Sequence, residues 1–274
     1  MAARGTYDAG GVKADIEKGT RMDLGLKGKK AIVTGGTRGI GLKIAQTLAG
    51  EGCDIAICAR DGAMVEQTVA SLGACGVAAH GGALDVTDST ATRSWIEASA
   101  GQLGGLDILV ANVSALAGTP DEDAWRRGLE TDILGTVRVV EAALPFLEKS
   151  SAASIVAIAS TAALESFMGV RAYNGIKAAL IAYMSGLSSA LAPQGIRANT
   201  ISPGTIFFEG GVWDKRRADA PDAYAAALDH NPMGRMGTPE DVANAVAFIA
   251  SPAAGFITGT NLVVDGAFTR RIQF

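Results

Sequence analysis

The chain has 274 residues, 24 Lys and Arg against 28 Asp and Glu, a net charge of −4, and 48% hydrophobic residues at a mean hydropathy of +0.24. That composition supplies a sizeable core and gives no reason to expect nucleic acid as a partner. No run of 18 or more apolar residues marks a membrane span and no apolar h-region marks a secretory signal, so the chain reads as cytoplasmic. Cys53, Cys58, Cys75, His80 and His230 lack metal-ligand spacing, and buried free thiols suit a reducing compartment.

Residues 1–21 are glycine-rich, mixed in charge and without periodicity, and are read as a peripheral extension, a docked arm at an oligomer contact being the alternative. The first strand spans 30–34, ends in Thr34-Gly35-Gly36-Thr37-Arg38-Gly39-Ile40-Gly41, and leads into a helix over 39–50 with 3.6-residue apolar spacing. Glycines at a strand-to-helix turn let the backbone approach a pyrophosphate, and the helix N-terminus offers N–H groups to its charge. A strand at 54–58 follows and runs into Ala59-Arg60-Asp61. An acidic residue at such a strand end selects NAD through the ribose hydroxyl. Here that position reads Ala59, while Arg38 and Arg60 offer two planar guanidiniums for a 2′-phosphate. The reading is therefore NADP, with Asp61 the residue that could still reach a ribose hydroxyl.

Further along come helix 62–72, strand 77–84 ending before Asp85-Val86, helix 88–103, strand 107–111 ending before Asn112, and a long helix over 121–149. Strand 154–159 then delivers Ser160, helix 170–192 carries Tyr173 and Lys177, and strand 197–202 delivers Pro203-Gly204. The irregular segment Thr205–Met236 reads as a substrate lid, before helix 239–250 and strand 260–264. Regular alternation of strands and helices predicts an α/β fold, a single doubly wound Rossmann domain over 22–274 with helices on both faces of a parallel sheet. In such sheets ligands meet the C-terminal ends of the strands, where Ser160 lies. Tyr173 and Lys177, four residues apart, share a helix face. A cation beside a phenol favours the phenolate, so that the tyrosine can exchange a proton with an alcohol oxygen.

The order of these motifs, over about Met22 to Phe268, resembles the short-chain dehydrogenase/reductase family and its 3-oxoacyl-reductase-like branch. The resemblance implies NADP-dependent interconversion of a secondary alcohol and a ketone. Tyr173 would be the acid-base group, Ser160 would place the substrate oxygen, and Lys177 would assist Tyr173 and hold the nicotinamide ribose. Gly35, Thr37, Arg38, Gly39, Ile40, Gly41 and Arg60 would hold the phosphates. Asp85 and Val86 would hold the adenine, Asn112 the ribose, and Pro203, Gly204 and Ile206 the carboxamide. Two departures stand out. The Asn-Asn-Ala-Gly signature is only partly kept as Ala111-Asn112-Val113-Ser114, and Asp132 stands where the family carries a catalytic Asn. A carboxylate accepts hydrogen bonds but cannot donate as an amide does. It is read as keeping the proton relay, with an altered pH optimum.

Ser114–Gly118, Leu164–Val170, Ile206, Phe207, Phe208 and Trp213 would wall a mostly apolar substrate site, with Phe208 where a Thr often follows Pro-Gly. Arg216, Arg217 and Arg235 could meet an anionic tail or form a solvated face. Relatives are commonly homotetramers or homodimers; the tail Phe268–Phe274 is read as docking on a neighbouring subunit. The rival reading is a dinucleotide-binding sensor or structural subunit that has lost catalysis.

Overall fold

The computed structural model describes residues 22–166 and 169–272, so the reading of residues 1–21 lies outside the described residues. Seven strands form one parallel sheet in the order β3-β2-β1-β4-β5-β6-β7. They are β1 (Lys30–Thr34), β2 (Asp54–Ala59), β3 (Ala79–Ala83), β4 (Ile108–Ala111), β5 (Ser154–Ile158), β6 (Arg197–Pro203) and β7 (Asn261–Val264). The central strands are buried almost end to end, as expected where helices cover both faces of a parallel sheet. Ile32 of β1 pairs with Ala56 on one side and Leu109 on the other.

Each face has its own core. On one, Val33, Ile55 and Ile57 pack against α1 (Gly39–Gly50), α2 (Gly62–Gly73) and α9 (Pro239–Ala250) through Ile44, Leu48, Leu72, Val242 and Val246. On the other, Ile32, Leu109 and Ile155 meet α3 (Ser89–Leu103), α5 (Gly135–Leu147) and α6 (Ala172–Leu191) through Ile96, Val139, Leu180 and Met184. Strand order reverses between β1 and β4, and the crevice beyond the C-terminal ends at that switch point is where ligands of such sheets bind.

Two of the expected elements need correction. The long helix read over 121–149 is α4 (Glu122–Gly128), a wider π-helical turn (Leu129–Leu134) and then α5. The segment read as irregular contains two helices, α7 (Val212–Asp219) and α8 (Pro221–Asp229). Helix α6 with its extension to Gln194 is, by length and a mean hydropathy of 1.3, apolar enough to cross a membrane, although the sequence shows no unbroken apolar run there. In this fold α6 packs on the sheet, with Ile176, Leu180, Met184 and Leu191 buried. Finally, Phe268 docks on its own chain: it is buried and meets His230 edge-on at 4.7 Å between ring centroids. The last residues of the tail, 273–274, lie outside the described residues.

Candidate functional site

Thr34 closes β1, and its hydroxyl accepts the Asn112 N–H at 3.0 Å. The Asn112 amide in turn donates to the Thr34 and Gly35 carbonyls at 3.0 and 3.1 Å. Asn112 thus stitches the end of β4 to the glycine turn, an assignment different from but compatible with lining a ribose. Gly35 and Gly39 have φ of +67° and +53°, conformations that favour glycine. Gly41 is required by packing: a Cβ there would lie 2.1 Å from the Gly35 carbonyl oxygen. Thr37 is buried within this turn, and Ile40 is partly buried against the core. Arg38 precedes α1 in an extended conformation and no side chain caps that helix, which leaves its N-terminal partial charge to an external anion.

At the end of β2, Asp61 caps α2 by accepting the Met64 N–H at 3.1 Å. Its carboxylate is thereby engaged in the helix start, while Arg38 and Arg60 are both exposed beside the turn. Asp85 accepts the Thr87 N–H and hydroxyl at 3.0 and 2.8 Å. Those bonds, with Arg60 contributing, hold its carboxyl below the usual range. Val86 is buried against Gly135.

Across the crevice, Lys177 and Asp132 are 2% and 1% exposed. The Lys177 ammonium lies 3.0 Å from Asp132 Oδ1, at an angle outside hydrogen-bonding range, and donates to the Ile158 carbonyl at 2.9 Å. Asp132 Oδ2 accepts the Ala115 N–H at 2.7 Å. A cation and a carboxylate buried together are tolerable when paired; here they pair, Lys177 and Asp132 Oδ2 each make a hydrogen bond, and Asp132 Oδ1 makes none. Lys177 Nζ also sits 5.7 Å from the centre of the Tyr173 ring. Tyr173 is anchored at the start of α6 by its own N–H, which donates to the Ala117 carbonyl at 2.9 Å. Ser160, two residues beyond β5, accepts the Ala162 N–H at 3.1 Å, so it does cap the short turn that follows. The hydroxyl proton is not used by that bond.

Pro203 ends β6, Gly204 donates to the Val264 carbonyl at 3.0 Å, and Ile206 bridges to Gly237. A Cβ at Gly204 would meet Asp265 at 2.7 Å. In the segment that follows, Arg217 stacks on Phe207 and pairs with Asp214 at 2.7 Å. Arg235 pairs with Asp241 at 2.7 Å. These two arginines thus pair within their own chain. Arg216 stacks on Trp213 at 4.7 Å. Of the walls read from the sequence, Leu116 stands out with φ +50° and 51% exposure, while residues 167 and 168 lie outside the described residues. Among the described residues no group of three or more His, Cys, Asp or Glu could hold a metal ion.

Sequence reasoning missed two features. The π-helical turn that turns Asp132 inward has no recognisable sequence signal beyond the bounding Gly128 and Gly135. The Asp132–Ala115 bond, which ties the carboxylate to the 114–118 wall, follows from that turn.

Residues 35–269 match the sequence pattern of the family described as Enoyl-(Acyl carrier protein) reductase. With that match and the parallel sheet described above, the chain belongs to the short-chain dehydrogenase/reductase family of oxidoreductases. It is 36% identical to the isoepoxydon dehydrogenase patN of Penicillium expansum over 92% of this chain and 99% of that one. The L-sorbose reductase of Gluconobacter frateurii, solved with NADPH and L-sorbose, superposes with a TM-score of 0.84 at 29% identity, covering 92% of this chain and 100% of that one. An NADPH-bound short-chain oxidoreductase of Pseudomonas aeruginosa with an atypical catalytic centre gives a TM-score of 0.82 at 31% identity, over 89% and 98% of the two chains.

Proposed function

We propose that the protein is an NADP-dependent oxidoreductase that interconverts a secondary alcohol and a ketone by hydride transfer on a largely apolar substrate. The observation that carries the reading is the buried Lys177 ammonium facing the Tyr173 ring, beside the end of the strand that delivers Ser160. The residues present fit the dinucleotide: an uncapped α1, positive φ at Gly35 and Gly39, and an Asp61 engaged as a cap beside two exposed arginines. That charge balance supports the 2′-phosphorylated form, and NADPH complexes among similar structures point the same way.

When bound, the nicotinamide supplies the hydride for the carbonyl carbon. Tyr173 gives the carbonyl oxygen its proton, or takes it in the reverse direction, and Ser160 places that oxygen with its free hydroxyl proton. Lys177, facing the Tyr173 ring, would hold the ribose with its remaining N–H groups. Asp132 fixes Lys177 and accepts the hydrogen bond of a relay water. Phe207, Phe208 and Trp213 belong to the 205–236 segment that we read as the lid. Half-buried aromatics of this kind suit an apolar substrate with one polar end.

The test is NADPH oxidation against aliphatic, aryl, steroid and 3-oxoacyl carbonyls. Turnover by the protein, abolished in Tyr173→Phe with NADPH binding retained, is the expected result. NADPH binding without turnover of any carbonyl would favour a dinucleotide-binding sensor instead.

A further inference from the structure

The glycines of the turn keep space clear for different reasons. At Gly41 a Cβ would strike the Gly35 carbonyl and the Asn112 amide, and at Gly36 it would strike Ile57. Those two are glycine because the protein packs on them. At Gly39 the three atoms nearest to an added Cβ all belong to the Phe208 ring, at 2.5, 2.6 and 3.0 Å. The ring therefore lies over the Gly39 backbone, at the first residue of uncapped α1. That is the ground a dinucleotide fingerprint leaves bare so that a diphosphate can approach the backbone.

The chain on both sides of Phe208 is held by hydrogen bonds. Before it, Ile206 bridges to Gly237 and the Phe207 N–H donates to the Gly237 carbonyl at 2.8 Å. After it come Glu209 and the pair Gly210-Gly211. Gly210 has φ +71°, its N–H donates to the Asp214 carboxylate at 2.9 Å, and the Gly211 N–H donates to the Phe208 carbonyl at 3.0 Å. With the backbone held on both sides, the ring can turn about its own side-chain bonds without disturbing the sheet. Trp213 rides on α7 immediately beyond, where its indole would sense such a swing.

We infer that Phe208 is a gate on the diphosphate site: its ring covers Gly39, and it must leave before the dinucleotide can seat. This rests on the dinucleotide reading of the glycine turn. Phe208 stands in the same segment as Phe207 and Trp213, so turning its ring reshapes the substrate wall read from those residues. The gate thereby favours cofactor before substrate. Apparent affinity for the dinucleotide is reduced by the fraction of molecules whose gate is closed.

The experiment is stopped-flow binding of NADPH to the full chain, followed by Trp and nicotinamide fluorescence, in wild type, Phe208→Ala and Phe208→Leu. In the wild type the observed rate should level off with rising NADPH, at the rate of gate opening. In Phe208→Ala it should rise linearly, with an apparent Kd lower by about tenfold if one wild-type molecule in ten is open, and Phe208→Leu should fall between. A wild-type rate that stays linear would overturn the gate even if neither variant folds. So would a weaker Kd in Phe208→Ala, since the ring would then be supporting the bound cofactor. Failure of both wild type and a folded Phe208→Ala to bind NADPH would overturn the gate together with the NADP reading. Binding by Phe208→Ala alone would support it.

Discussion

Asp132 holds three parts of the site with one carboxylate: Lys177 at 3.0 Å, the Ala115 N–H at 2.7 Å and, through that N–H, the wall that runs to the strained Leu116. Removing the carboxylate would leave Lys177 buried without its partner, which costs roughly 3–5 kcal/mol for pairs of this kind. Asp132→Ala should therefore lose that order of stability in a urea titration, while Asp132→Asn, keeping shape and an acceptor, should lose much less. Under the proposed relay Asp132→Asn also changes the pH profile of turnover. An unchanged profile and rate would make Asp132 incidental to the chemistry. At this scale the sequence revealed the departure at Asp132 and, through the family resemblance, a carboxylate beside Lys177, which the structure pairs at 3.0 Å. It did not reveal the turn wider than an α-helix, because residue spacing alone implied a continuous helix over 121–149. Asp61 was ambiguous for a related reason, because only the described Met64 contact tells a cap from a ribose ligand.

Helix α9 buttresses α1, the helix of the glycine turn, and its two ends are secured by different means. At its start Thr238 and Asp241 form a reciprocal capping box, with Pro239 at the first helical position. At its end the buried Arg197 guanidinium of β6 donates to the Ile249, Ala250 and Ser251 carbonyls at 2.6, 2.9 and 3.0 Å. A cation there satisfies orphan carbonyls and complements the helix dipole. Thr238→Ala should cost about 1 kcal/mol, measured by thermal or urea unfolding; no loss would show that tertiary packing alone holds the helix start. The Arg235 hydrogen bond, ahead of those from Thr238, brings Asp241 from its ordinary 3.8 down to about 2. A depressed carboxylate stabilises the fold above its ordinary value, and that support is lost as pH falls through about 2. The start of this helix was legible, since Thr-Pro-Glu-Asp carries the cap, the proline and the acidic first turn. Its end was not, because Arg197 reaches it from 52 residues away in sequence. Helices α7 and α8 were missed because neither buries a residue fully, leaving little apolar periodicity to read.

For the whole molecule the alternation of apolar strands and amphipathic helices determined the sheet, and the glycine turn located its ligand edge. The sequence could not say which chain the C-terminal tail would meet. In the structure Glu165, in the turn after Ser160, accepts the Arg270 and Arg271 N–H groups at 2.7 and 2.9 Å, so those two residues are held by their own subunit. We propose that association uses another surface, where Leu129 and Leu134 are 46% and 42% exposed beside the half-exposed Trp125. Large apolar side chains exposed close together in sequence are candidates for such a contact. A dimer or tetramer by light scattering is the expected state, and a monomeric mass would refute it.

The central claim is that a hydride reaches a substrate carbon under the control of Tyr173. The most direct measurement runs a turned-over ketone with NADPH deuterated at the transferable position and locates the label in the alcohol. The account predicts deuterium at the carbinol carbon with wild type, one stereoisomer predominating, and no labelled product with Tyr173→Phe. Undiminished labelled product from Tyr173→Phe, or product labelled elsewhere, would contradict it.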